Sequence, residues 1–203
     1  MPEGPARPAH TGGRAKAMSL LAHSRRLTTR TATLTATAMI ALGLGAAPSV
    51  AEAGNSPGPR MQRHLDEVTA ATKRYKRVDV ALRDGYLASD RCEEKRGVGA
   101  MGYHYINPKF AADRRIRPLH PEQLLYLPTR SGGRRLAGVE YSRADADQDV
   151  STDSDRPAFY GRRFNGPMAG HFPGQPIHYD LHVWLFQDNP EGVFARYNPE
   201  ASC

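Results

Sequence analysis

Between Pro59 and Tyr86 apolar residues recur at intervals of three and four: Met61, Leu65, Val68, Thr72, Tyr75, Val78 and Leu82. Residues so spaced share one side of an α-helix, which predicts an amphipathic helix, or two in close succession. Pro59 suits the first turn and Gly85 the end. The other side carries Arg, Lys, Asp and Glu, so a single stripe has to pack against a partner. Downstream the period shortens. The runs "VGAMGYHYIN", "EQLLYLP", "RRLAGVEYSR" and "PIHYDLHVWLF" are rich in aromatic and β-branched residues and bounded by Pro, Gly and Asn, as strands are. "TRSGGRR" between the second and third reads as a hairpin turn, with Gly132 and Gly133 supplying positive φ at little cost. The fold class expected is α+β: an N-terminal amphipathic helix on an antiparallel sheet that can curl into a partial barrel.

The last run has a mixed pattern. If it is a strand, Ile177, Tyr179, Leu181, Val183 and Leu185 share one face, and His178, Asp180, His182, Trp184 and Phe186 the other. One face is apolar and the second carries two imidazoles and a carboxylate. Before this run, residues 144–175 form a long irregular region. Its first half, "ADADQDVSTDSDR", starts with the Asp145, Asp147, Asp149 alternation of a calcium loop. Val150 and Arg156 stand where such a loop needs Gly and Glu, so a solvated loop is the expectation. Its second half, "FYGRRFNGPMAGHFPGQP", is rich in aromatics and glycine, a composition found in binding loops.

The first 53 residues change the domain picture. Arg25, Arg26 and Arg30 precede an uncharged apolar run from Ala38 to Ala47, and Ala51-Glu52-Ala53 offers small residues at a cleavage site. This is the layout of a secretory signal peptide, with an extension before Met18 and cleavage near Ala53. The apolar run falls well short of the roughly 20 residues of a membrane span. A secreted, extracellular protein without a stable membrane anchor is therefore expected, as a single α+β domain over residues 54–203. Ser24-Arg25-Arg26 hints at twin-arginine export, although Thr28 and Thr29 stand where an apolar residue is usual. The leader holds six of the 28 basic and two of the 21 acidic residues, leaving 22 against 19, a net charge of about +3. That excess is small and dispersed, and gives no reason to expect a nucleic-acid partner. Cys92 and Cys203 both survive cleavage. In an oxidising compartment an even pair reads most simply as one disulfide, with two separate thiols as the alternative. Its loop would remove unfolded-chain entropy worth on the order of 4 kcal/mol.

The candidate chemistry lies in the strands. His104 stands between Tyr103 and Tyr105, and Glu140 between Val139 and Tyr141 with Gly138 leaving room beside it. A charge in the middle of an apolar strand is costly to bury without a partner. Residues four apart on a strand are about 13 Å apart, so His178 and His182 cannot easily share an ion. If His104, Glu140 and His182 meet on one face, they form a two-histidine, one-carboxylate set with open positions, suited to one zinc, iron or copper ion. His171, His178 and Asp180 are accessory candidates, His171 also as an acid–base group; His64 and His120 look like surface residues. The competing expectation is a polar cluster satisfied by hydroxyls and carbonyls. No H-E-x-x-H or G-x-S-x-G is present to favour a particular enzyme class.

"GAMGYHYINP", "PEQLLYLP", "LAGVEY" and "HYDLHVWLFQDNPEGVFARYNPEASC" together resemble an uncharacterised family of exported bacterial proteins. Its motifs match Gly85-Tyr86, Cys92, Met101 to Tyr105, Pro121 to Tyr126, Val139 to Tyr141, Leu181 to Trp184, Asn189 to Phe194 and Asn198 to Cys203, with Tyr197 where a tryptophan is expected. The resemblance implies the disulfide and draws attention to His104, Glu140 and His182, but implies no reaction. Two functions follow from the sequence: an exported transition-metal protein, or a non-catalytic module that binds a small apolar ligand or an envelope component.

Overall fold

A computed structural model describes residues 57–172 and 174–203. The leader and its cleavage site lie outside the described residues. Among the described residues three helices and eight strands follow one another: α1 (Pro59–Thr72), a 3₁₀ turn (Lys73–Lys76), α2 (Val78–Arg83), β1 (Cys92–Lys95), β2 (Gly99–Ile106), α3 (Pro108–Ala111), β3 (Gln123–Pro128), β4 (Arg134–Ala144), β5 (Ala158–Phe159), β6 (Arg162–Arg163), β7 (Asn165–Met168) and β8 (His178–Trp184). Six strands make one antiparallel sheet in the order β1-β2-β3-β4-β8-β7, while β5 and β6 pair separately. The fold is α+β, with the sheet curled into a half-barrel beside the helical segment.

One sheet face packs on the helices. Leu65 and Val68 of α1 join Tyr105, Leu124, Tyr126, Val139, Tyr141, Tyr179, Leu181 and Val183 in one core. The strand alternation put these residues on a common side, and burying them drives the packing. The tyrosines end in polar atoms, and each buried hydroxyl finds an acceptor. Tyr126 donates to Tyr75 O at 2.6 Å, Tyr86 to Pro121 O at 2.8 Å and Tyr141 to Pro118 O at 2.6 Å. Unpaired, each would lose on the order of 1–3 kcal/mol.

Glycines shape the other face. Gly102 and Gly138 stand two residues before His104 and Glu140. A Cβ at Gly102 would lie 2.4 Å from Tyr126 O, and one at Gly138 would lie 2.4 Å from Val183 O. Gly102 also adopts φ +92°, which a side chain resists. The missing side chains let β3 and β8 close in, and the sheet becomes concave here.

The disulfide joins Cys92 to Cys203 with Cα atoms 5.8 Å apart, closing a separation of 111 residues. Such bonds form and persist in oxidising compartments. The C-terminal segment is held further by the pairing of Asn198 with Ala100 and by Cys203 N, which donates to Glu94 Oε2 at 2.9 Å. No helix among the described residues is long and apolar enough to cross a membrane.

Four expectations are corrected. The helical stripe runs as two helices in close succession, one of the two expected forms, but Leu82 is exposed at 46% instead of packed. His64 is no ordinary surface residue: it stacks on Tyr160 with ring centroids 3.7 Å apart. The acidic loop is not simply solvated, because Asp145 is buried and lies 3.0 Å from the Tyr179 hydroxyl. The irregular region contains β5, β6 and β7, and β7 extends the main sheet along β8.

Candidate functional site

The concave face brings together residues from four strands. Glu140 on β4 faces His182 on β8 directly in register, and Gln123 on β3 faces Glu140 from the other side. His104 lies two strands away from Glu140 and pairs with Leu125. On a flat sheet, two strands across and two residues along is roughly 12 Å. The curl closes that gap. His104 Nε2 is 3.1 Å from Glu140 Oε2 and 3.4 Å from His182 Nε2, and His182 Nε2 is 3.6 Å from Glu140 Oε2. One ligand atom from each residue thus converges on a single point.

Glu140 and His182 are buried and His104 is half-buried at the cavity edge. Gln123 Nε2 donates to Glu140 Oε1 at 2.8 Å, but Oε2 has no hydrogen-bond partner. Burial pushes the Glu140 carboxyl up, yet the charges of His182 and His104 and the contact with His104 outweigh it and hold it below its ordinary value. Burial pushes the His182 imidazole down, and Glu140 and Asp180 together raise it above the usual value. A charged carboxylate here therefore requires positive charge at the histidine side, as protons or as a cation.

Behind His182 stands Asp180. Its Oδ1 is 3.7 Å from His182 Nδ1 and accepts from Asn165 Nδ2 at 3.0 Å. Burial raises the Asp180 carboxyl, but His182, Asn165 and Arg196 hold it well below the carboxylate range. At that distance Asp180 acts on the imidazole through its charge, and His182 Nδ1 itself has no hydrogen-bond partner.

The accessory candidates form a neighbouring group. One ligand atom each of His171, His178 and Asp180 lies within 4.8 Å of the others, as is also true of His104, Glu140 and His182. Both clusters can hold a metal ion. His178 and His182 belong to different clusters, as their separation along β8 requires. His171 lies on the segment before β8, where burial pushes its imidazole down, towards the neutral form.

Beside the first cluster opens a cavity of about 540 Å³. Leu87, Met101, Ile106, Pro108 and Phe172 form apolar wall, while His104, Glu140, His182, Gln123 and Asp180 bring polar atoms to its lining. The sequence reading missed Gln123, Asn165, Glu93 and Arg196 in this neighbourhood. Gln123, a lone amide in the run "EQLLYLP", carried the same signal as Glu140. Asn165 and Arg196 reach Asp180 from β7 and the C-terminal segment, and no local pattern marks them. No protein-family model, curated protein or solved structure matches the chain.

Proposed function

We propose that this is an exported metal-binding protein that holds one zinc ion through His104, Glu140 and His182, with its remaining coordination position open to the cavity. The observation that carries this reading is the set of three distances between the ligand atoms, 3.1, 3.4 and 3.6 Å. Bonds of about 2.1 Å in a tetrahedron put ligand atoms about 3.4 Å apart, whereas neighbouring positions of an octahedron are about 3.0 Å apart. The set fits the tetrahedral edge better, which favours zinc over iron. Copper suits the same ligands less specifically.

The electrostatics support the same reading. Glu140 Oε2 is buried and charged, with no hydrogen bond of its own and the Nε2 atoms of both histidines within 3.6 Å, and the Asp180 carboxylate adds negative charge behind His182. A zinc ion with one open position binds water or a ligand carbonyl and polarises it. The disulfide accords with export, and so do the family resemblance and the leader.

The test is elemental analysis of the exported protein, purified without a histidine tag or chelator. Near-stoichiometric zinc, lost in His104→Ala and in His182→Ala, is the expected result. A second reading is favoured by the walls of Leu87, Ile106 and Phe172: a non-catalytic module that takes a small apolar ligand or envelope component. It predicts no stoichiometric metal even after each ion is added back, and tolerance of His104→Gln.

A further inference from the structure

We propose that His171, His178 and Asp180 form a second cation site, separate from the first, that takes a divalent ion of the zinc type with lower affinity. His178 carries the argument. It is 3% exposed, and its Nδ1 lies 3.1 Å from Pro176 O. A carbonyl only accepts, so Nδ1 carries the proton and Nε2 is left with its electron pair. That Nε2 is buried and has no hydrogen-bond partner. A buried acceptor with no donor is costly, and a cation would satisfy it.

The other two members complete the set. His171 Nδ1 lies 3.7 Å from Glu93 Oε2, a carboxylate whose negative charge favours positive charge at this ring, and either of its nitrogens can serve as ligand. Its ring centroid is 5.3 Å from that of His178. Asp180 supplies the anionic ligand and is also the residue behind His182. The two sites therefore share one carboxylate, which stands behind a ligand of the first and in the ligand set of the second.

Charge and spacing rank the affinities. The ligand atoms of the first cluster already stand 3.1, 3.4 and 3.6 Å apart, close to the tetrahedral edge of about 3.4 Å around zinc. Arg196 Nη2, 3.8 Å from Asp180 Oδ2, is a positive charge that the ion must compete with. The first site fills before the second.

The experiment is a zinc titration of the exported, disulfide-bonded protein against a chromophoric chelator, repeated with cobalt to record ligand-field spectra. The wild type is expected to bind two equivalents, the second at least tenfold more weakly. His171→Ala binds one, with the first affinity changed by less than about threefold. His178→Asn, which keeps a polar side chain in the buried position, gives the same result if His171→Ala disturbs its segment. His104→Ala keeps only the weaker equivalent, so the two sites are read independently. A wild type that binds one equivalent, unaltered in His171→Ala and His178→Asn, overturns the second site and leaves the first standing. One equivalent lost in His171→Ala but kept in His104→Ala supports the second cluster and overturns the zinc reading of the first. No binding at all overturns both.

Discussion

Two glutamates lie buried in this sheet, and they solve the same problem in opposite ways. Glu122, just before β3, is fully buried, with Oε2 accepting from Ser142 N at 3.2 Å and Oε1 left without a partner. Burial, only partly offset by main-chain donors and by the charge of Arg117, pushes its carboxyl up to about 8, so at neutral pH it keeps its proton. Glu140, on the neighbouring strand β4, is buried as deeply, yet two histidines hold it below the ordinary value. The difference is the company each keeps: tyrosines and main chain around Glu122, imidazoles on the concave face around Glu140. Burial alone does not identify a site. A buried carboxylate that stays charged beside paired imidazoles marks a place for a cation.

The largest effect that separates the two glutamates is on metal. Glu140→Gln should lower zinc affinity by more than about 100-fold, since an anionic ligand becomes a neutral amide, while Glu122→Gln should leave zinc content unchanged. Elemental analysis of both variants, side by side, reads this directly. Equal zinc in the two would break the comparison.

Next in size is the pH dependence of stability. With its folded pKa raised to about 8, Glu122 is protonated in both folded and unfolded states below about pH 4. As pH rises through the unfolded value, the unfolded chain releases its proton while the folded one keeps it, so stability falls until about pH 8. The full loss is on the order of 4 kcal/mol. Glu122→Gln should therefore be close to neutral at pH 4 and clearly stabilised relative to the wild type at pH 8. Denaturant melts at the two pH values check this, and an advantage that does not grow with pH contradicts it.

Smaller effects concern the supporting residues. Asp180→Asn removes the carboxylate behind His182 and should weaken zinc binding at the first site by about 10- to 100-fold, measured by chelator competition. Tyr179→Phe removes the hydroxyl that lies 2.8 Å from Asp155 Oδ1 and 3.0 Å from Asp145 Oδ1 on the core face. It should cost about 1–2 kcal/mol in a denaturant melt and leave metal content as it was. A loss of zinc in Tyr179→Phe would mean that the two faces are not independent.

Much of this arrangement was legible before the fold was known. The alternation in "PIHYDLHVWLF" separates Tyr179, Leu181 and Val183 from His178, Asp180 and His182, and the sheet uses both sides as that pattern demands. The cost of burying Glu140 pointed to a partner, and the two histidines stand beside it. Short edge strands were not legible: β1 and β7 have 4 residues each and take their conformation from β2 and β8 rather than from their own pattern. Contacts such as His64 with Tyr160 depend on the chain's return over a long distance, which no local window contains. Glu122 was passed over although the argument applied to Glu140 fits it as well. What distinguishes the two is the neighbouring strand, and that requires the register.

Zinc K-edge X-ray absorption of the disulfide-bonded protein loaded with one equivalent of zinc tests the central claim most directly. The account predicts four nitrogen and oxygen ligands at about 2.0–2.1 Å, two of them imidazoles, with the imidazole scattering diminished in His182→Ala. A shell of oxygen alone, or an unchanged spectrum in that variant, would contradict it.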